Sequence, residues 1–399
     1  MNSICIICSL YPNAIEPTNQ VFVQRFAWAM ADLGVECTVI CPTAINLHPA
    51  LAKLCYSPTE ITDKGSVIKV YFPKFISFGQ RNVFGYKTAG LTTNLFYKAV
   101  YKVWQNLEHQ PEVVYGHFLT PAGICASRIS RAHNIPSFAG YGEDSPWSIF
   151  NYGKKRIKTE IANLSGIIAV SSASKKDLGL VNVFPLSKIG VFPNGIRSNF
   201  FYPRNKSEAR KKFGFDQHIF IVAFMGSFIE RKGVLRVAEA VNGLENVCVA
   251  FAGNGPDRPR ASNCIYNNVV KPENVPDFLS AADVFVLPTL SEGCCNAIIE
   301  AMACGLPIIS SNLPFNADIL NDTNSILVDP RNIEEIRRAI VYLRDEPNIC
   351  KAMSAASVAI SKKLSIETRV KNIYSWIKEM TWCFVNDKAM FCSSYSDEL

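Results

Sequence analysis

The sequence predicts an α/β protein built from two doubly wound, Rossmann-like domains. Three observations carry this. Short apolar runs alternate with helix-patterned stretches from the first residues onward. The alternation breaks once, at VFPNGIRSNFFYP (residues 191–203), and then restarts. The chain has 399 residues, too long for one ordinary core and suited to two.

The first half opens with ICIICS, an apolar run that fits a buried parallel strand. The loop LYPNAIEPTNQ follows, then the helix-like VFVQRFAWAMADLG ending at Gly34, then the strand-like ECTVICP. The rhythm returns as EVVYGHF, a helix over 123–132, the strand-like IPSFAGY, then SGIIAVSS before the helix ASKKDLGL. After the break, HIFIVAFMGS reads as a strand and RKGVLRVAEAVNGL as a helix with apolar positions at Val234, Leu235, Val237, Ala238 and Val241. NVCVAFAGNG is a strand ending in a glycine turn. VPDFLSAA is a short helix, DVFVLPT a strand, and GLPIISS another strand. Helices are expected over 333–343 and 366–380. The expected boundaries are 1–195, 196–365 and a C-terminal helical segment, 366–399.

Hydrophobic residues make up 48% and charged residues 19%, which excludes a disordered chain. No apolar run reaches the ~18 residues of a bilayer span. MNSICIICSLYP lacks a basic leader, so it is expected to be a strand rather than a signal peptide. The final SDEL resembles a retention tail in letters only. The fourteen cysteines lie scattered in apolar runs. Cys5 and Cys8 form a CxxC without a second pair at zinc spacing, so buried reduced thiols and a cytoplasmic setting are expected. Net charge is +7, and residues 46–131 hold ten Lys/Arg against four Asp/Glu. Such a stretch is either a solvated basic face or a surface for anionic lipid or an acidic acceptor. Within it Phe72, Phe75, Phe78 and Phe84 mix with Lys69, Lys74, Arg81 and Lys87, either as packed aromatics or as a membrane-resting face.

The chemistry concentrates in SEGCCNAIIEAMACG (residues 291–305), which sets Glu292 before a helix and Glu300 one turn inside it. Asn296 is a good N-cap, with helix formers after it. The loop follows a strand, at the carboxyl end of the sheet where open α/β folds bind ligands. Backbone N–H groups at Gly293, Cys294, Cys295 and Asn296 favour an anion, and Gly293 permits close approach. Glu300 can reach past phosphates to ribose hydroxyls, and Glu292 can accept from hydroxyls on the other side. FMGSFIERKG adds Gly226 and two adjacent cations, Arg231 and Lys232, at a helix entry where cations are disfavoured unless an anion answers them. AGNGPD contributes a further glycine turn.

GSFIERKG, AGNGP, VPDFLSAADVFVLPTLSEG and NAIIEAMACGLPIISS together resemble the C-terminal domain of retaining glycosyltransferase family 4, with the E-x7-E signature at Glu292 and Glu300. SLYPN, VVYGHFLTPAG and the PNG hinge at 193–195 resemble its first half, so the resemblance runs to about Met380. It implies a GT-B fold, two Rossmann-like domains facing across a cleft with the C-terminal helix packing back on the first. It implies that Arg231 and Lys232 bind donor phosphates, Glu300 the ribose, and Glu292 with the following backbone the transferred sugar. His117 matches the family's active-site histidine, facing acceptor and sugar. The sequence departs in three places. Asn19, Gln20 and Val21 stand where the family often has Gly-Gly, Ser227 follows Gly226 where arginine is frequent, and Tyr141, Gly142, Glu143, Asp144 replace HGxD.

The expected donor is a UDP-, GDP- or dTDP-linked sugar, the acceptor a saccharide or lipid-linked saccharide, with an anionic membrane surface as a further partner and no nucleic acid. No D-x-D motif occurs and the five histidines form no ligand pattern, so no metal is expected. Retention follows from the resemblance. A nucleotide-sugar epimerase and a non-catalytic nucleotide-sugar-binding subunit are the alternatives. A nicotinamide dehydrogenase is disfavoured, because no G-x-G-x-x-G follows the first strand.

Overall fold

A computed structural model describes the backbone of residues 1–79, 82–83 and 86–396 and the side chains of residues 1–79 and 87–386. The chain forms two compact units, Met1–Phe192 with Arg369–Leu399, and Pro193–Thr368.

The first unit holds an eight-stranded sheet. Its strands are β1 (Ser3–Cys8), β2 (Glu36–Ile40), β3 (Thr59–Ile61), β4 (Val67–Tyr71), β5 (Val113–His117), β6 (Ser137–Tyr141), β7 (Gly166–Ala169) and β8 (Ile189–Val191). The spatial order is β8-β7-β6-β5-β1-β2-β4-β3, parallel except for the β3–β4 pair. The continuous apolar runs are buried along their length because helices cover both faces of a parallel sheet. From β1 the chain winds outward through β2 and β4, then returns to start β5 on the other side of β1. That reversal puts the end of β1 beside His117, with Cys8 opposite it in register.

The second unit repeats the plan with β9 (Phe220–Met225), β10 (Val247–Ala252), β11 (Cys264–Asn268), β12 (Val284–Leu287), β13 (Ile308–Ser311) and β14 (Ser325–Val328). Their order is β11-β10-β9-β12-β13-β14, all parallel, and it reverses between β9 and β12. Strands β4 and β11 carry weak sequence signals. β4 (VIKVY) buries only Ile68 and Val70 fully, and β11 (CIYNN) is a half-exposed edge.

Three helices depart from the sequence expectation. The stretch RKGVLRVAEAVNGL is helical only over Val234–Val241. Arg231 and Lys232 lie in a separate single turn, Glu230–Lys232, which Gly233 ends at φ 78°. A further helix, Pro347–Ser361, follows Ile333–Asp345 directly. Its proline reads as a breaker but occupies the first turn, where a missing N–H costs nothing. The last helix spans Ile366–Ser396. Val370, Ile373 and Ile377 bury its inner stripe, and Trp376 packs on Phe138 and Phe192, each at 5.6 Å between ring centroids. A side chain at Gly166 would stand 2.5 Å from the Trp376 ring, so the glycine makes room for it. The C-terminal helix thus packs on the first sheet. Among the described residues no helix is long and apolar enough to cross a membrane.

The aromatic stretch in the first unit divides. Phe72 is buried, and Phe75 stands edge-on to Phe96 at 5.6 Å, so neither forms a membrane face. Phe78 is exposed. Arg81 and Phe84 lie outside the described residues.

Candidate active site

Both sheets reverse strand order once, and open α/β folds bind ligands outside the carboxyl ends of strands at such points. At the β9/β12 reversal, the turn Glu230–Lys232 and the loop 288–295 are laced together. The Leu290 amide donates to the Arg231 carbonyl at 2.8 Å, and the Thr289 hydroxyl lies 3.2 Å from the same oxygen. Gly233 lets them meet: a Cβ there would lie 2.6 Å from the Pro288 carbonyl oxygen. The AGNG turn packs in the same way, since a Cβ on Gly253 would fall 1.9 Å from the Gly226 carbonyl oxygen. The two glycines therefore permit backbone-to-backbone approach.

The charged groups of this loop pair act on one atom. Glu292 Oε1 accepts from Arg231 Nη1 at 3.0 Å, from Thr289 Oγ1 at 3.0 Å, and from Lys232 Nζ. Arg231 also donates to the Ser291 carbonyl at 2.5 Å. The Glu292 and Lys232 side chains are 12% and 15% exposed and Arg231 35%, so the guanidinium is the outermost of the three.

The helix Asn296–Ala303 begins four residues on and carries Glu300, half-buried. Asn296 is its first residue rather than its cap: Cys295 takes the cap position. The Asn296 side chain is used elsewhere, accepting from Asn194 Nδ2 at 2.9 Å. The same amide donates to the Cys294 carbonyl at 3.1 Å, and the Asn194 backbone N–H points at Cys294 Sγ, 3.4 Å away. Burial and the nearby Glu292 charge push the Cys295 thiol up to about 11, against the opposing pull of Lys232 and the helix amides, so it is a neutral wall. Gly293 is buried, Cys294 half-buried, and Asn296 exposed. Gly226, Arg231, Lys232, Glu292, Gly293, Cys294 and Cys295 thus belong to loops and turns that follow β9 and β12 of one sheet, and Asn296 and Glu300 to the helix that follows the second loop.

His117 lies in the other unit, at the end of β5. It is buried, and its pKa is held down to about 3, by burial first and by the Arg369 charge second. Tyr115 Oη is 2.7 Å from His117 Nδ1, and burial raises the Tyr115 phenol well above its usual range. A phenol that keeps its proton can donate to Nδ1, an arrangement that places the imidazole proton on Nε2. Nε2 is buried and has no hydrogen-bond partner among the described residues. Gly140 makes the contact possible, because a Cβ there would lie 2.5 Å from the Tyr115 hydroxyl. Phe22 and Phe118 flank the imidazole at 5.5 and 4.4 Å. Gln20 adopts a left-handed φ of 43°, a conformation natural to glycine, at the entry to the helix Val21–Ala31. At the Tyr141–Asp144 segment the Tyr141 hydroxyl is buried without a partner among the described residues. Burial raises the Glu143 pKa against the hydrogen bonds from Ser148.

Two family models match the chain in tandem: Glycosyltransferase Family 4 over residues 20–200 and Glycosyl transferases group 1 over 219–346. The chain belongs to glycosyltransferase family 4. Among relatives of this family 4 glycosyltransferase, TuaC of Bacillus subtilis, named for teichuronic acid biosynthesis, is 27% identical over 85% of this chain and 88% of its own. An Escherichia coli UDP-Gal:alpha-D-GlcNAc-diphosphoundecaprenol alpha-1,3-galactosyltransferase is 31% identical over 40% of this chain and 46% of its own. Sucrose-phosphate synthase from Thermosynechococcus elongatus superposes with a TM-score of 0.75 at 15% identity, covering 96% of this chain and 100% of that one. HepE of Anabaena in complex with UDP gives 0.70 at 15% identity, covering 95% and 100%. The fold is that of the GT-B glycosyltransferases.

The structure adds residues to this family 4 glycosyltransferase that sequence reading did not single out. Tyr115 carried a signal, since residues two apart share one face of a strand. Thr289 carried one too, three residues before Glu292 in the same loop, and Asn194 lay in the PNG hinge, but the partners of Asn194 lie 100 and 102 residues on.

Proposed function

We propose that the protein transfers a hexose-type sugar from a nucleotide diphosphate to a saccharide or lipid-linked saccharide, with retention of anomeric configuration and without a metal. The observation that carries this is the Arg231–Lys232–Glu292 cluster at the β9/β12 reversal. An arriving diphosphate offers both cations stronger partners than one shared carboxylate oxygen. It re-pairs Arg231 and Lys232, frees Glu292 to accept from hydroxyls of the sugar, and leaves Glu300 on the helix for the ribose. As the sugar–phosphate bond lengthens, negative charge grows on the leaving diphosphate, and the two cations with the amides at Gly293–Asn296 stabilise it.

His117 supplies a neutral donor. With Nε2 protonated and the ring uncharged, it can hydrogen-bond a hydroxyl of sugar or acceptor without repelling developing positive charge at the anomeric carbon. Front-side attack guided by the leaving phosphate accounts for retention without a nucleophilic carboxylate. The basic first half suits work on the inner face of a membrane as a peripheral protein.

Thermal-shift titration with UDP-, GDP- and dTDP-sugars tests the donor, which should raise the melting temperature. NMR of the new linkage tests retention, and an inverted product rules the mechanism out. Turnover abolished by EDTA and restored by a divalent ion contradicts the metal-free reading.

A further inference from the structure

The first unit contains a cavity of about 370 Å³ that the reading above leaves unused. It lies at the carboxyl ends of β1, β2 and β4, under the loop that follows β1. Leu47, Leu51, Phe72, Phe75 and Phe96 make its apolar walls, with Asn19 on the side of that loop.

Most polar side chains in the wall are already engaged. Thr93 Oγ1 donates to the Ala89 carbonyl at 2.8 Å, and Thr92 Oγ1 to the Gly79 carbonyl at 2.9 Å. Asn13 Oδ1 accepts the Ile15 and Glu16 amides, and Asn19 Nδ2 donates to Glu16 at 3.0 Å. The Tyr11 hydroxyl donates a hydrogen bond to Glu60 at 2.9 Å, and Trp28 Nε1 donates to the same carboxylate at 2.8 Å. A sugar entering here would strip water from many hydroxyls and find few partners, which is costly. An apolar chain loses nothing polar and gains burial.

The rim selects further. Leu47 is 50% exposed and Phe78, between the lining residues Ser77 and Gly79, is 49% exposed. The exposed Lys53 and Lys74 stand on the same two segments as Leu51 and Phe75, and His48 lines the opening, against Glu16 as the one acidic residue among the described lining residues. Apolar side chains beside cations suit a hydrocarbon tail ending in an anionic headgroup.

We infer that this cavity holds the apolar chain of a lipid phosphate, and that the chain belongs to the lipid-linked acceptor. The inference rests on the acceptor class proposed above. A bilayer lipid phosphate offers the same chemistry, and the two sources are separated below.

The test is calorimetric titration of the full chain with decyl phosphate below its micelle concentration, with inorganic phosphate as the control. Saturable one-site binding is expected for decyl phosphate and none for inorganic phosphate. Leu47→Asp changes an exposed side chain at the mouth and should weaken binding by about tenfold or more. Ala44→Trp, which fills the cavity, should do the same. Each variant's melting temperature checks its fold. Absent binding to the intact protein, or wild-type affinity in both folded variants, overturns the inference. A transfer assay assigns the source. Decyl phosphate competing with a lipid-linked saccharide acceptor, but not with a water-soluble acceptor of the same sugar, supports the acceptor chain. Inhibition of neither acceptor points to a bilayer lipid and overturns that assignment. Titration with UDP is read separately, so loss of the donor reading leaves this result standing.

Discussion

At the β9/β12 reversal three charged side chains meet on one oxygen, while at the β1/β5 reversal the reactive groups are buried, neutral and aromatic-flanked. The two sheets share a topology, so the difference comes from what the strand ends carry. On the proposed function the first site must answer a charge that grows during reaction, and two cations sharing one carboxylate oxygen can re-pair to do so. A site for hydroxyls needs a fixed donor with no charge of its own. Burial keeps His117 neutral, and Tyr115 Oη lies 2.7 Å from its Nδ1, as the proposed donor role requires.

The largest expected effect breaks the charged side. Lys232→Ala should lower transfer by about 10²–10³-fold in kcat, as removal of a donor to a developing charge does. Wild-type-like turnover would end the assignment. Gly253→Ala tests the scaffold beneath that side. Its Cβ meets backbone at 1.9 Å, so a loss of about 2–4 kcal/mol in denaturant unfolding is expected. Glu292→Gln sharpens the comparison. It leaves Lys232 facing a weaker acceptor and should cost about 1–3 kcal/mol of stability. Transfer should fall while UDP alone binds no more weakly, since the cations are released from a carboxylate. Weaker UDP binding in this variant would show that Glu292 mainly orients Arg231 and Lys232.

The neutral side is probed by pH. His117 binds a proton at 6.5 in the unfolded chain and at about 3 when folded, so the unfolded state holds more protons between those values. The stability this group contributes is complete above pH 6.5 and is lost as pH falls toward 3. His117→Gln should flatten the melting temperature over that window, and an unchanged slope would show that another group governs it. The smallest effect belongs to Asn194→Ala. Losing hydrogen bonds at 3.1 and 2.9 Å should cost about 1–2 kcal/mol and weaken UDP binding a few-fold. Thermal melts with and without UDP would separate the two effects.

The central strands of both sheets with the helices named after them, the break near residue 193 and the placing of Glu292 before a helix with Glu300 inside it were readable from the residues, whereas the outer strands β3, β4, β8, β11 and β14 and the helix Ala89–Gln105 were not. The readable features depend on local periodicity and on turn and cap chemistry, which are properties of neighbours in sequence. The proline-led helix Pro347–Ser361 was readable by the same rules and was obscured only because proline also ends helices. What Glu292 binds was not readable. Its partners Arg231 and Lys232 lie 61 and 60 residues away, and only the adjacency of β9 and β12 brings them to it. Asn194 reaches Cys294 across 100 residues for the same kind of reason. The inward turn of Phe72 and Phe75 depended on which side of the sheet edge was covered, a matter of packing rather than composition. Sequence determined the central elements and the residue types at their ends. Tertiary structure decided which of those ends meet, because charge pairing and burial are settled by distance in space.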